Sequence, residues 1–387
     1  MTFPLVASAI KVFVVFNLIM VGVALLTLLE RRVCAWMQDR RGPNRVGPQG
    51  LFQPAADGLK NFLKEETSPA MADKALFTLA PIVSFVPALL TFGVIPFAAP
   101  LPTKWGLVPM VVADLPVGFL YILAISSLGV YGIVLAGWAS NNKYALLGGL
   151  RASAQMISYE IALGMSTVAV ILLAGNVTLS QVIAQQQRGL PFFIPLTIAF
   201  VIFFISAFAE TNRLPFDLPE AEAELIAGYH TEYSAMKFSM FYIAEYSNMV
   251  TASALMATLF FGGWDIPFTS WDSTGEPSVL KTVLTLLSFG AKTFFFLFTY
   301  IWVRWTLPRF RYDQLMALGW KVLLPLSLVY ITLLAVAIWF IRIRLGWEYG
   351  PLMAWVLGGL NLVLLIALVY WLDRGRIVSG SVQEETA

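Results

Sequence analysis

Apolar runs of about 20 residues recur along the whole length of this chain, and each is long enough to cross a hydrocarbon core of roughly 30 Å. Backbone hydrogen bonds in lipid must be satisfied internally, so only helices and closed barrels span membranes. The short alternating segments of barrel strands are absent. Hydrophobic residues make up 58% of the chain and charged residues only 12%. We therefore predict an all-α fold, a polytopic transmembrane helical bundle without a sizeable soluble domain.

Nine membrane segments are predicted, and they make residues 1–387 a single integral membrane domain. Lys and Arg are concentrated in the connections that follow the odd-numbered segments. The positive-inside rule therefore predicts an external N-terminus and a cytoplasmic C-terminal tail. The predicted segments are approximately Val6–Leu29, Leu76–Ala98, Val117–Ala139, Ala154–Ala174, Phe192–Ala209, Ser239–Gly262, Val283–Val303, Val322–Ile341 and Leu352–Leu372.

Two cytoplasmic connections are long enough to carry structure of their own. In the first, residues 30–75, the stretch Leu51–Lys64 repeats apolar residues at helical spacing, with Asp57 and Lys60 on the other side. This pattern predicts an amphipathic helix along the cytoplasmic face, packed on lipid or equally well on protein. The second, residues 210–238, is an acidic loop. Residues 351–387 form an extra C-terminal helix and tail.

Cys34 is the only cysteine and His230 the only histidine. Iron–sulfur clusters need several cysteine thiolates, and a bis-histidine haem needs two imidazoles. We therefore expect this chain alone to bind no redox cofactor and no metal, so any electron transfer uses cofactors of partner subunits. His230 is interpreted as a hydrogen-bonded residue rather than a proton donor. At a net charge of +2, no nucleic-acid partner is predicted.

Carboxylates lie inside the predicted membrane segments. A charge at membrane depth costs roughly 2.5 to 3.5 kcal/mol, so such residues are candidates for function. Glu160 lies about six residues into its segment, roughly 9 Å deep. Glu245 lies at a similar depth, and Glu210 ends the fifth segment on the same side, whereas Lys292 is near the middle of the seventh. These residues form a proton path or charge chain, or they only pair to tie helices together.

The acidic run that follows Glu210 adds Asp217, Glu220, Glu222 and Glu224. Glu220 and Glu224 share a helical face at a spacing of four residues, which is repulsive unless a cation meets them. A solvated acidic loop is the simplest interpretation, but the apolar flanks of the run favour partial burial.

Several long motifs, in order, resemble one family. They are ERRVCAWMQDRRGPNRVGPQGLFQPAADGLKNFLKEE from Glu30, GWASNNKYALLGGLRASAQMISYEIALG from Gly137, AETNRLPFDLPEAEAELIAGYHTEYS from Ala209 with FYIAEYSNM after it, and RWTLPRFRYDQLM from Arg304. Across residues 10 to 340 the chain resembles the membrane subunit at the hinge of respiratory complex I, the proton-pumping NADH:quinone oxidoreductase. In bacteria this membrane subunit is called the H subunit.

The resemblance implies a fold and an activity. The family core has eight membrane helices, so the ninth here is additional. Together with two peripheral iron–sulfur and quinone-site subunits, the family subunit forms a quinone chamber. NAD, FMN and iron–sulfur clusters belong to partners, and the subunit is not catalytic alone. Quinone enters from the bilayer near the first and sixth helices and the amphipathic helix. A charged channel leads past small membrane subunits to antiporter-like pump subunits in the bacterial inner membrane.

The resemblance also implies residue roles. Arg31, Arg40, Asp57 and Lys60 would line or neighbour the quinone chamber. The remaining positions divide into two groups. The proton or charge path would contain Glu160, Glu210, Glu222, Glu224 and Glu245, to which we add Lys292, and the loop would be structured by Glu30, Arg213, Asp217 and Glu220.

Two alternatives stay open at this point. One is the equivalent subunit of a membrane-bound hydrogenase or ferredoxin-linked complex. The other is a self-contained secondary transporter, which would predict internal repeats, and no convincing repeat is found. One departure from the family is Ala235, which stands where the family usually has glycine.

Overall fold

The structure is a computed structural model, and it describes residues 2–104, 106–217, 227–267, 269, 271–272 and 276–373. Within these ranges the chain is mostly helical. A short antiparallel hairpin pairs β1 (Ala98–Thr103) with β2 (Gly106–Met110). The described helices are α1 (Thr2–Met37), α2 (Gln53–Leu63), α3 (Lys74–Leu90), α4 (Gly118–Ala139), α5 (Lys143–Ala174), α6 (Leu179–Gln187), α7 (Thr197–Glu210), α8 (Ala235–Phe260), α9 (Val279–Thr306), α10 (Tyr312–Arg344) and α11 (Pro351–Asp373).

Seven of the described helices are long and apolar enough to cross a membrane, namely α1, α3, α4, α5, α9, α10 and α11. The predicted fifth segment corresponds to α7, a shorter apolar helix of 14 residues. The predicted sixth corresponds to α8, whose 26 residues mix apolar side chains with polar ones such as Glu245 and Asn248. The prediction of a polytopic helical membrane protein is confirmed.

Three local features differ from the predicted pattern. Helix α1 continues beyond Leu29 to Met37, so Glu30 and Arg31 lie on a helix rather than in a loop. The extension consists largely of strong helix formers, and the first helix-breaking pair is Gly42-Pro43. The other two features are the β1–β2 hairpin and helix α6. Neither was predicted, because neither has a hydrophobic periodicity of sufficient length.

The loops divide the bundle into two ends. One end carries α2, the turn after α7 and the start of α8, and is called the amphipathic-helix face. The other carries the β1–β2 hairpin and is called the hairpin face. Helix α8 is central and contacts α1, α2, α3, α7 and α9. Its residues therefore meet side chains from most of the bundle, which decides where a functional site forms.

Helix α2 lies on the surface with no buried residue, and its apolar residues Leu59, Phe62 and Leu63 are exposed. The Asn61 amide donates a 2.9 Å hydrogen bond to the Ser239 hydroxyl, which ties α2 to the start of α8. Its apolar side chains are thus left for lipid or for another subunit.

Helix α11 is joined to the bundle by a buried polar contact. The Asn361 amide donates a 2.6 Å hydrogen bond to the Pro195 carbonyl, and the Tyr330 hydroxyl donates one of 2.8 Å to the Asn361 side chain. Lipid tails are as apolar as the side chains of membrane helices, so the hydrophobic effect does not drive these helices together. Hydrogen bonds between helices therefore contribute to their association. Helix α11, which corresponds to the ninth predicted membrane segment, is therefore packed as part of the bundle.

Candidate functional site

Arg213 is a buried arginine at the amphipathic-helix face. Its side chain is 4% exposed, and its Nε lies 2.6 Å from Oε1 of Glu245 on α8. Its Nη1 lies 3.4 Å from Oε1 of Glu30 on α1, and its Cζ lies 4.2 Å from the centre of the Tyr246 ring. A buried charge is tolerated when it is paired, and here two carboxylates and an aromatic ring surround it.

Glu30 is shared between two arginines. Besides Arg213, it forms an ion pair with Arg304 near the end of α9. The Tyr246 hydroxyl donates a 2.5 Å hydrogen bond to Oε2 of Glu30, and the Tyr242 hydroxyl lies 3.0 Å from that of Tyr246. Charge-assisted hydrogen bonds of this kind are stronger than neutral ones. Arg213, Arg304, Glu30, Glu245 and Tyr246 are called the arginine cluster below.

The turn after α7 positions Arg213. The Thr211 hydroxyl donates to the Ala207 carbonyl at 3.0 Å and closes the end of the helix. From α5, the fully buried Gln155 amide donates to the carbonyls of Ala209 at 2.9 Å and Phe216 at 2.8 Å. One side chain therefore satisfies backbone acceptors on both sides of the turn, as buried backbone groups require.

Asp217 lies at the edge of the arginine cluster, with Oδ2 3.5 Å from Nη2 of Arg309. Burial raises the pKa of Asp217 to about 7, and the neighbouring Glu245 carboxylate acts in the same direction. Arg309, Arg304 and Arg213 act in the opposite direction without cancelling this rise. Asp217 is therefore able to take up and release a proton near neutral pH.

A cavity of about 510 Å³ borders the arginine cluster. Glu30, Tyr246 and Arg304 belong both to the cluster and to the cavity wall. The remaining wall is strongly cationic and comes mostly from α1 and the loop after it, with Tyr242 from α8 and Trp305 from α9. It includes Thr27, Arg31, Cys34, Arg40, Arg41, Gly42, Pro43, Tyr242 and Trp305. The Glu30 carboxylate that pairs with Arg213 and Arg304 is thus accessible from this cavity.

Asp57 and Lys60 lie beside this cavity rather than in its wall. Oδ2 of Asp57 is 2.6 Å from Nη1 of Arg31, and Oδ1 is 3.7 Å from Nζ of Lys60. Although partial burial opposes it, the hydrogen bond and charge of Arg31 lower the pKa of Asp57. Asp57 therefore stays ionised and holds Arg31, which does line the cavity.

A second cavity of about 440 Å³ is an apolar groove between α1, α8 and α9. It is lined mainly by leucines and reaches Trp36 and Leu51, close to the start of α2. Arg32 is its only charged lining residue. The groove and the cationic cavity meet α1 at consecutive residues, since Arg31 lines the cavity and Arg32 the groove.

Glu210 and Glu160, called the acid pair below, have a different environment. The charge of Glu160 acts on Glu210, and the Ser126 hydroxyl contacts the Glu210 carboxyl group. A small cavity of about 30 Å³ is lined by both Glu210 and Glu245, and it contains no Lys or Arg. This cavity connects the acid pair to the arginine cluster.

Comparison with known proteins assigns the family. The family model described as NADH dehydrogenase matches residues 10–335. The NADH-quinone oxidoreductase H subunit 1 of Geobacter metallireducens is 50% identical over 334 residues, which is 86% of this chain and 96% of the relative. This chain belongs to the family of NADH-quinone oxidoreductase H subunits. It is thus a membrane subunit of respiratory complex I, and the hydrogenase alternative is not favoured.

Other relatives in the H-subunit family are equally similar. The one from Rickettsia canadensis is 51% identical over 337 residues, covering 86% of this chain and 94% of the relative. The one named H subunit 1 from Cytophaga hutchinsonii is 48% identical over 325 residues, covering 84% and 94%. The seven membrane-crossing helices and the family match together indicate an integral protein of the bacterial inner membrane. The family match ends at residue 335, before α11 begins.

The structure brings together most, but not all, of the residues that the family resemblance singled out. Glu30, Arg213 and Glu245 meet directly, whereas Glu220, Glu222 and Glu224 lie outside the described residues. Lys292 lies elsewhere. Its Nζ donates to the carbonyls of Phe261, Gly263 and Asp265 at 2.6, 3.0 and 2.5 Å, just after α8 ends.

Burial lowers the pKa of His230 to about 4, so this histidine is neutral at physiological pH. Among the described residues, no group of three or more His, Cys, Asp or Glu side chains could hold a metal ion. The side chains that meet in the arginine cluster are carboxylates, arginines and a tyrosine hydroxyl.

Sequence patterns do not reveal two residues that build this region, namely one of the arginine cluster and one that supports the turn after α7. By sequence, Arg304 belongs only to the charged membrane edge, and Gln155 is one polar residue on a long helix. A buried partner 274 positions away decides the role of Arg304, and no spacing rule reveals such a pair. Gln155 carries a weak signal, since an amide lies only five residues before Glu160 on the same helix.

Proposed function

We propose that the cationic cavity binds the headgroup of a quinone and that the arginine cluster begins the charged path coupling quinone reduction to proton translocation. One observation carries this proposal. Glu30, Tyr246 and Arg304 are part of the cavity wall and also part of the buried ion-pair cluster. A change of charge in the cavity therefore acts on the cluster without an intermediate.

The size and chemistry of the cavity suit a quinone headgroup. About 510 Å³ lies within the usual range of roughly 300 to 1,000 Å³ for small-molecule sites. Quinone carbonyl oxygens accept hydrogen bonds, and the guanidinium groups of Arg31 and Arg40 donate them. Two-electron reduction places negative charge on those oxygens, and preorganised cations stabilise charge that develops in this way.

The electrons come from partner subunits in this proposal. With one cysteine and one histidine, the chain lacks the ligands of an iron–sulfur cluster or a bis-histidine haem. NAD, FMN and the iron–sulfur clusters would therefore belong to peripheral subunits that complete the quinone chamber. The cationic loop that carries Arg40 and Arg41 suits an acidic surface on such a partner.

The apolar groove is the proposed entrance for the quinone tail. It is bounded by α1, α8 and α9 and reaches Leu51, next to the amphipathic helix α2. A hydrocarbon tail gains free energy by leaving water for such a surface, and the bilayer supplies the quinone directly. The exposed apolar residues of α2 would lie in the interface of the cytoplasmic leaflet, with the N-terminus of the chain outside.

Coupling would proceed along named contacts. Reduction changes the charge beside Glu30, which shifts the balance among Arg304, Arg213 and Glu245. Electrostatic interactions are strong in a buried site because the local dielectric constant is low. Glu245 exchanges a proton with Glu210 through the small cavity that both line, and the charge of Glu245 also acts on Asp217. Glu222 and Glu224, which lie outside the described residues, and Glu160 would carry the path on toward small membrane and antiporter-like subunits.

Arg40→Ala tests the quinone site. The complex is purified with this variant chain, and NADH:quinone activity is measured over a range of concentrations of a short-chain quinone. Loss of a charge-assisted hydrogen bond predicts a decrease in kcat/KM of roughly tenfold or more. NADH oxidation by a soluble acceptor that reacts at the flavin reports assembly of the peripheral subunits.

Arg45→Ala is the matched control, because Arg45 is an exposed cation of the same loop and does not line the cavity. Equal kcat/KM values for the two variants would refute the proposed headgroup site.

A further inference from the structure

Two small cavities meet at Glu210, and each has a volume of about 30 Å³. The first, called the inner cavity, is the one shared with Glu245. The second is called the outer cavity. A polar cavity of this size is large enough to hold a water molecule. Glu210, Thr211 and Asn248 line both cavities.

The outer cavity lies deeper in the bundle than Glu245. Thr251 is 16 residues beyond Ala235, the first residue of α8, which corresponds to about 24 Å along the helix. Thr91 lies just after α3, which starts at the same face with Lys74. The line from Glu245 through Glu210 to Thr251 and Thr91 therefore points toward the hairpin face, away from the cationic cavity.

Besides the Glu210 carboxyl group and the Asn248 amide, the polar side chains of the outer cavity are hydroxyls. Ser126 contacts the Glu210 carboxyl group. The hydroxyl oxygens of Thr91 and Thr251 are 3.5 Å apart. The rest of the wall is largely apolar and includes Leu163 and Leu255. The Ser126 and Thr91 hydroxyls already donate to the Leu123 and Ala88 carbonyls, both at 3.1 Å. Each of these hydroxyl oxygens can still accept, so together with Glu210 and Asn248 they give a water molecule the two to four polar partners it needs.

We propose that Glu210 exchanges its proton with water in the outer cavity. Ser126, Thr91 and Thr251 then extend the charged path toward the hairpin face, and the Asn248 amide positions water on both sides of Glu210. The proposal rests on the proposed function, because it adds a branch to the path described there. In this proposal Glu210 exchanges protons with both cavities, instead of being one member of a single linear series of acids.

The exchange conserves atoms and charge. The O–H bond of the Glu210 carboxyl group breaks as an O–H bond forms on water in the outer cavity. A proton that arrives through the inner cavity from the Glu245 side then restores the neutral carboxyl group. No electron moves in this step, and the hydroxyls act by donating and accepting hydrogen bonds. They are positioning residues rather than catalytic ones.

Thr251→Val tests the branch, because valine keeps the shape of threonine and removes its hydroxyl. The complex is reconstituted in vesicles, and two quantities are measured: protons moved per NADH oxidised, and the solvent deuterium isotope effect on quinone reduction. We expect coupled turnover to fall roughly threefold to tenfold, the factor that corresponds to one lost hydrogen bond. We also expect a larger isotope effect and recovery of both values in Thr251→Ser.

Thr258→Val is the matched control. Thr258 is a buried hydroxyl on the same helix, donates to the Ala254 carbonyl at 2.8 Å and lines neither cavity. Its substitution perturbs packing and local hydrogen bonding similarly but leaves the proposed branch intact. If Thr251→Val and Thr258→Val give the same proton yield and the same isotope effect, the proposal is overturned.

Ser126→Ala provides the same comparison from α4 if Thr251→Val reduces assembly. Failure of this branch is distinguishable from failure of the proposed function. If Arg40→Ala loses quinone affinity while Thr251→Val and Ser126→Ala behave as Thr258→Val does, only the branch is refuted. If Arg40→Ala matches Arg45→Ala, the quinone site itself is refuted.

Discussion

The arginine cluster and the acid pair are neighbours, yet they handle buried charge in opposite ways. In the cluster, Glu30 and Glu245 are paired with Arg213, and Glu30 also with Arg304. Around Glu210, the described residues supply Glu160, hydroxyls and an amide, but no cation. A buried charge must be paired or neutralised, so the first region is suited to holding charge and the second to binding and releasing protons.

From this difference we expect the arginine cluster to contribute mainly to stability and the acid pair mainly to proton transfer. Ion pairs in the arginine cluster join α1, α8, α9 and the turn after α7, so their loss should affect stability first. The acid pair joins few elements, so its loss should affect proton transfer first. Substitutions that separate these two effects test the comparison.

Arg213→Met should have the largest effect. It leaves Glu30 and Glu245 buried with less compensation, and removing one partner of a buried pair costs roughly 3 to 5 kcal/mol. We expect loss of assembled complex, measured as the amount of this chain that co-purifies with peripheral subunits and as the temperature of inactivation. Arg309→Met is the control, because Arg309 is 37% exposed and pairs with Asp217 at 3.5 Å.

The double variant Arg213→Met with Glu245→Gln sharpens that test. It removes both charges of the 2.6 Å pair, so part of the lost stability should return. A double variant no more stable than Arg213→Met would mean that packing, rather than the orphaned carboxylate, dominates the loss.

Glu210→Gln should leave the complex assembled and impair coupling. No cation loses its partner, and glutamine keeps the shape, so the stability change should stay within about 1 kcal/mol. One titratable site disappears, so quinone reduction coupled to pumping should decrease. The ratio of protons moved to NADH oxidised in vesicles measures this, with Thr258→Val as the packing control. Unchanged turnover together with an unchanged proton yield would contradict the assignment.

Asp217→Asn should change how stability depends on pH. Burial raises the pKa of Asp217 to about 7 from an ordinary 3.8, so the folded protein binds this proton more tightly than the unfolded chain. The stabilising contribution is complete below the unfolded pKa and is lost as pH rises through about 7. Between about pH 5 and about pH 8 the wild type should lose on the order of 2 kcal/mol relative to Asp217→Asn.

The measurement is the temperature of inactivation of the complex at those two pH values. A parallel pH dependence in wild type and Asp217→Asn would show that Arg309 and its neighbours keep Asp217 ionised throughout.

Much of the fold was predictable because hydrophobic length carries most of the information in a membrane protein. The site was predictable in part. Glu160, Glu210 and Glu245 could be selected by depth alone, because carboxylates are rare in apolar segments. Arg304 and Gln155 could not, because arginine at a helix end and glutamine on a helix are common and local patterns do not distinguish buried ones. The backbone conformation of Ala235 could not be predicted from the sequence either, because only the structure shows its positive φ of +53°.

Local sequence was sufficient to predict the membrane class, the order of the apolar segments and the family resemblance, and to show that the chain has one cysteine and one histidine. Each of these depends on local composition or on contiguous motifs. The tertiary structure alone decided which acids meet cations. Glu30 and Arg213 are 183 residues apart in sequence, yet they form an ion pair. Lys292 instead donates to carbonyls of the loop after α8, including that of Asp265. Electrostatic environment depends on distances across the bundle, and distances between helices are set by packing.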